Sequence, residues 1–231
     1  MSSDRLRHAA VMVPVCGERA LFLRRADHLT FQPGYYSFPG GAVDPGRDRL
    51  PEGWSDGGGD SVSAAAGLRE MIEEAGFWPG AKISERQRQE VLEGHRDLSA
   101  LSLPEPPIKY LGRYRTPPYA HRRFDTLFYR VTFAEAQAAR INEESELAVW
   151  LTEEEALERW ESGQLIASQP VLLALAAALH SQPAFDSERS ARGLLYAGGA
   201  AAYLPLQTMT LPPATHTNCV FARGGEELWV V

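Results

Sequence analysis

Short stretches of strand-like residues open the chain and return past its middle, while helical periodicity marks the centre and the later part. His8–Val15 is rich in β-formers, Cys16-Gly17-Glu18-Arg19 reads as a turn, and Ala20–Arg25 reads as the returning strand. Thr30–Gly41 is rich in Pro and Gly, and Asp44–Asp60 in Gly, Asp and Pro, so that stretch reads as a loop. Beyond it, Leu68, Met71, Ile72 and Ala75 share one side of a helix. Asp60, Ser61 and Ser63 are alternative N-caps for that helix, and Gly76 suits its C-terminal cap. Ala81–Glu93 reads as a polar surface helix and Leu98–Pro107 as a proline-studded connection. Tyr110–Thr116 and Phe124–Phe133 read as strands joined through Pro117-Pro118, and Glu144–Leu151 as a further strand. Thr152–Glu161 is an amphipathic helix whose Thr152 and Glu155 form a capping box, and Gln169–His180 is an Ala- and Leu-rich helix. A polar linker, Ser181–Arg192, leads to a β-rich segment, Gly193–Val231. No internal repeat is evident.

Composition narrows the class. The chain has 231 residues, 44% of them hydrophobic and 23% charged, which suits one large globular domain plus a small extra piece. A net charge of −7 argues against broad electrostatic binding of nucleic acid or anionic membranes. It leaves room for a nucleotide held by a metal and a few arginines. The polar start of the chain lacks the character of a secretory signal, and Val171–Leu179 is too short to span a bilayer. Cys16 and Cys219 lie far apart without metal-type spacing, so reduced thiols in a cytoplasmic protein are expected.

The most specific chemistry lies in Arg69–Phe77. With Glu70 at zero on a helical wheel, Glu74 falls at roughly 40° and Glu73 at roughly −60°, whereas the apolar residues cluster at roughly 100–200°. One face is built for a core and the other presents carboxylates. Arg69 and Glu73 are spaced to pair on the helix surface. Clustered carboxylates repel unless a cation joins them, and hard divalent ions such as Mg2+ or Mn2+ take oxygen ligands. Taken alone, a Glu-Glu pair near an arginine is usually a solvated helix face.

The full pattern goes further. Arg69-Glu70-Met71-Ile72-Glu73-Glu74-Ala75-Gly76-Phe77 resembles the second half of the Nudix box at every defined position, and Phe38-Pro39-Gly40-Gly41 resembles the segment that opens it. The resemblance implies a Nudix-type α/β/α sandwich around a mixed β-sheet over residues 1–182, with a short C-terminal β-rich segment at 183–231. It implies metal-assisted hydrolysis of a diphosphate bond, with Glu70, Glu73, Glu74 and the Gly41 carbonyl as ligands of Mg2+ or Mn2+ and Arg69 beside them. Relatives take their general base from this helix or from a later loop, where Glu143, Glu144 and Glu146 stand. The chain also departs from the box. Gly41 and Arg69 are about twice as far apart as usual, so the box carries an insertion. Its first glutamate position falls on Arg47 counted forward from Gly41, and on Ser61 counted back from Arg69. Asp44, Asp48, Glu52, Asp56 and Asp60 are the acidic alternatives.

Leu21–Asp44 resembles the upstream region of coenzyme A diphosphatases at Arg25, Ala26, Leu29, Gly34 and Phe38–Gly41, although Thr30 stands where that motif has a second arginine. The phrase Arg122–Tyr129 and the insertion itself resemble the peroxisomal branch of those enzymes and its bacterial relatives. The resemblance implies coenzyme A or acyl-coenzyme A as substrate, with Arg25, Tyr36 and one of Arg122 and Arg123 as substrate contacts. The alternatives are a pyrophosphatase of (d)NTPs, nucleotide sugars or dinucleotide polyphosphates, and a non-catalytic nucleotide-sensing module. The expected partner is a small-molecule nucleotide, with no nucleic acid and no membrane. The C-terminal segment from Leu204 resembles the opening strands of metallo-β-lactamase-fold hydrolases without their metal motif. This implies a truncated remnant with His216 structural; the alternative is a hairpin that caps the domain or mediates a homodimer.

Overall fold

The computed structural model describes residues 6–116, 122–180 and 184–187, with the backbone alone of 195–197, 201–206, 217–224 and 227–230. The Pro117-Pro118 loop and His216 lie outside the described residues. Two compact units emerge, Met1–Ala184 and Phe185–Val231.

The first unit holds strands β1 (Arg7–Cys16), β2 (Arg19–Arg25), β3 (Tyr36–Ser37) and β4 (Gly40–Ala42), then helices α1 (Ser61–Ala75) and α2 (Glu85–Leu92). A 3-10 turn (Leu98–Leu101), β5 (Ile108–Arg115), β6 (Phe124–Phe133), β7 (Ser145–Thr152), α3 (Glu153–Glu161) and α4 (Gln169–Leu179) follow. Its sheet is mixed, as expected. The strand order is β3-β2-β1-β6-β5, with β4 also on β1 and β7 also on β2. The β1–β6 pair is parallel and its neighbours are antiparallel. In the second unit, β8 (Phe185–Asp186) precedes an antiparallel sheet of β9 (Leu195–Ala197), β10 (Ala201–Leu206), β11 (Thr217–Gly224) and β12 (Glu227–Val230), in the order β12-β11-β10-β9.

Strand β2 shows why the sheet is covered on both faces. Leu21 and Leu23 join the cluster of Met12, Leu68, Met71 and Ile72 beneath α1. Phe22 alternates to the other side, where it is fully buried with its ring centroid 4.8 Å from that of Phe38. Helix α4 packs against β1, β2, β5 and β6. A strand buried on both faces reads as a continuous apolar run, which is the pattern of Ala20–Leu23.

Some boundaries differ from the sequence reading. Helix α2 begins only after Ser84, whose capping box with Gln87 sets the start, while Ala81 bridges to Trp78 instead. The Pro/Gly-rich approach contains the short strands β3 and β4, held by backbone bonds that propensity does not reveal. Strand β6 has the bounds read from the sequence, and Arg122 and Arg123 precede it.

Candidate active site

Helix α1 carries the acidic face. Asp60 is its N-cap, accepting the Ser63 N–H at 2.8 Å, and an alanine run, Ala64–Ala66, favours the helix from there. Gly76 ends it in a left-handed conformation (φ 68°) that glycine adopts without strain, donating to the Ile72 and Met71 carbonyls. No basic residue occupies the last turn. Arg88 instead donates to the Glu73 carbonyl through Nη2 at 2.7 Å, and the Arg140 N–H donates to the Ala75 carbonyl at 2.8 Å. These groups satisfy the helix end from outside it. Sequence periodicity carried no signal for either arginine.

Strand β4 places the two glycines against that face. A Cβ on Gly41 would lie 2.3 Å from Glu70 Oε1, so the carboxylate fills the space a side chain would need. The Gly40 N–H donates to Glu74 Oε2 at 3.1 Å, and a Cβ there would meet the Ala10 carbonyl at 2.7 Å. Backbone excludes a larger residue at Gly40, whereas at Gly41 the Glu70 carboxylate would have to move.

Arg69 organises the cluster. It is buried, and its Nη1 donates to Glu70 Oε1 at 2.7 Å and Glu73 Oε2 at 3.0 Å. Its Nε donates to Asp48 Oδ1 at 2.7 Å, and Nη2 reaches Asp48 Oδ2 at 3.3 Å and the Ala42 carbonyl at 2.9 Å. Burial works against the charge on Arg69, but its hydrogen bond to Asp48 and the surrounding carboxylates hold the pKa above its ordinary value.

The structure thus separates the acidic candidates of the insertion. Asp48 is buried on Arg69, with Oδ2 also accepting the Asp44 N–H at 2.7 Å. Asp60 caps α1. Asp44 and Asp56 accept the N–H groups of Gly46 and Gly58 within local turns, and Glu52 is exposed. Arg47 donates to Glu73 Oε1 at 2.8 Å, a contact that charge patterning did not suggest. The insertion itself is anchored: Gly57 accepts the Tyr110 N–H at 2.9 Å, the Tyr129 hydroxyl donates to the Asp60 carbonyl at 3.0 Å, and Trp54 packs on Trp78.

The electrostatics are those of carboxylates with too little compensation. Burial pushes Glu73 up to about 7, against the pull of Arg69. Burial also raises Glu70, and the charges of Glu144 and Asp48 add to the effect while Arg69 opposes it. Glu74 stands well above the usual carboxylate range, chiefly through burial and then through the charge of Glu70.

Two sequence candidates from elsewhere join this cluster. Glu144, itself exposed, adds charge that raises both Glu70 and Glu74, and the charge of Arg25 opposes the shift at Glu74. A register irregularity between β2 and β7 at Arg24/Arg25 accompanies this placement, with the Glu144 carbonyl accepting the Ala26 N–H at 2.9 Å. Glu146 is engaged by Arg24 and the Asp27 N–H, and Glu143 is exposed. Tyr36 is buried and its N–H donates to the Ile166 carbonyl, so it faces the interior rather than open solvent. Arg122 lies over the Phe31 ring at 5.5 Å, and the Arg123 carbonyl accepts the Arg7 N–H.

Among the described residues, no three His, Cys, Asp or Glu side chains converge as they stand on a point ready for an ion. Arg69, Arg47 and the Gly40 N–H hold the carboxylate oxygens instead. The donor chemistry nevertheless fits a hard divalent cation: oxygen atoms only, mutually repelling, beside a glycine that lets backbone approach.

A family model for the NUDIX domain matches residues 6–169. The crystal structure of a NUDIX hydrolase from Alicyclobacillus acidocaldarius superposes with a TM-score of 0.63 and 25% identity, covering 84% of this chain and 99% of that one. The NUDIX domain of Shewanella oneidensis NrtR, complexed with ADP ribose, gives 0.47 and 14%, covering 77% and 88%. A C. elegans Ap4A hydrolase gives 0.43 and 14%, covering 74% and 94%. Comparison with curated proteins gave no match. With the carboxylate face of α1, the glycines of β4 and a domain match over most of its length, the chain belongs to the Nudix family and is a pyrophosphohydrolase.

Proposed function

We propose that this enzyme hydrolyses the diphosphate bond of a nucleoside-diphosphate-linked substrate, with coenzyme A or acyl-coenzyme A first among the candidates, and that it requires Mg2+ or Mn2+. The observation that carries the metal requirement is the under-compensated burial of Glu70, Glu73 and Glu74 around Gly41. These three carboxylates and the Gly41 carbonyl would hold the cation, which when bound supplies Lewis acidity and a water of lowered pKa. Among the loop glutamates, Glu144 is the preferred proton acceptor, because its charge is felt by Glu70 and Glu74. Water attacks one phosphorus, its proton passes to Glu144, and the bridging P–O bond breaks. Arg25, whose charge is felt at Glu74, would meet charge accumulating on the phosphoryl oxygens. The coenzyme A assignment is supported by the upstream motif around Arg25.

The test is incubation with Mg2+ or Mn2+ and a pool of coenzyme A, NTPs, ADP-ribose and diadenosine polyphosphates, with products identified by mass. Preferred formation of 3′,5′-ADP and 4′-phosphopantetheine is expected. Preferred cleavage of another member of the pool overturns the coenzyme A assignment and leaves the metal chemistry standing. No turnover with either metal overturns both.

A further inference from the structure

Counted forward from Gly41, Arg47 falls where the usual box has a glutamate, and it brings a positive charge to the cluster. Its Nη2 donates to Glu73 Oε1 at 2.8 Å, with side-chain exposures of 24% for Arg47 and 12% for Glu73. Arg69 holds Oε2 of the same carboxylate at 3.0 Å. Both oxygens of Glu73 are therefore engaged by cations of the chain itself. The two arginines differ in what else holds them. Arg69 is fixed by Asp48, Glu70 and the Ala42 carbonyl, and moving it would strand buried charge. Arg47 makes its side-chain hydrogen bond among the described residues to Glu73, and its Nε is buried without a partner. It also belongs to a loop rather than to the helix. Of the two arginines on Glu73, Arg47 is the less anchored.

We infer that Arg47 is an internal competitor of the divalent cation for Glu73. Guanidinium groups already engage both oxygens of Glu73, so a cation that Glu73 would ligate competes with Arg47 for that carboxylate. Cation loading thereby frees a donor fork beside the cluster, a group suited to phosphoryl oxygens. The inference rests on the metal-dependent reading above.

The test is direct titration with Mn2+, following free Mn2+ by electron paramagnetic resonance with no substrate present. R47Q should bind Mn2+ more tightly than wild type, on the order of 10- to 100-fold, the scale of a charge-assisted hydrogen bond. In an E73Q background the same substitution should change affinity by less than about twofold, because the shared ligand is gone. R47K keeps the charge with a shorter reach and should tighten binding less, which preserves the test if R47Q folds poorly. Unchanged or weaker binding in R47Q overturns the inference. So does equal tightening with and without Glu73, which would mark a general field effect. A wild-type protein that binds no Mn2+ overturns the metal-dependent reading itself.

Discussion

Two arginine–carboxylate networks in the first unit are built from the same groups and poised oppositely. Around Arg69, the carboxylates of Asp48, Glu70 and Glu73 share one buried guanidinium with help from Arg47, and Glu70 and Glu73 are raised by burial. On the β5–β6 pair, the buried Asp125 is bridged by both Arg113 and Arg115, and its hydrogen bond to Arg113 holds it below the usual carboxylate range. One network has unspent negative charge and the other is compensated from within. A site that must take up a cation needs the first condition; a fastening between strands needs the second.

Substitutions in the acidic cluster beside the first network and in the second network should therefore fail in different ways. Glu74→Gln should lower kcat on the order of 10³-fold, the scale of losing a transition-state electrostatic contact, while thermal stability without metal holds or rises because a buried charge is gone. Steady-state kinetics beside a thermal melt tests this, and wild-type turnover would remove the central role of α1. Asp125→Ala should show the converse. It leaves two arginines facing a buried gap, and chemical denaturation should show a loss of about 3–5 kcal/mol with little change in kcat for the molecules that remain folded. A large fall in kcat without loss of stability would erase the contrast.

The pH dependence of stability sharpens the same contrast. Glu73, raised to about 7, contributes stability that is fully present below its ordinary 4.5 and lost as pH rises through 7. Asp125, lowered from 3.8, contributes stability present above 3.8 and lost as pH falls through its folded value. Melts in chelator from pH 3 to pH 8 should decline at both ends. Added Mn2+ should restore the upper end alone, since the cation competes with protons for Glu73. The smallest effect expected is that of Asp60→Ala, about 1 kcal/mol from the lost N-cap of α1, measured by denaturant titration.

How much of this was legible follows from range. The helix face was readable because its three glutamates and its apolar residues obey one local period, and the α3 capping box because it spans a single turn. The sheet was readable as strands but not in its order, since the parallel β1–β6 pairing joins distant segments. Asp48 could not be chosen over its acidic neighbours: an insertion of Gly, Asp and Pro has no period, and only the fold brings one of its carboxylates to Arg69. Asp125 sat in plain view inside a motif quoted for its arginines, yet its partners lie on the adjacent strand. The expected substrate contact Tyr36 is buried, through backbone pairing to β2 and Ile166 that no local pattern encodes.

The contact between Trp54 of the insertion and Trp78 beyond α1, with ring centroids 5.8 Å apart and planes inclined at 39°, has an optical consequence. Two indoles so close couple their transitions and give a paired circular-dichroism band that neither gives alone. That band reads the docking of the box insertion directly, in solution and without a label, because Trp54 leaves Trp78 only if the insertion leaves the domain.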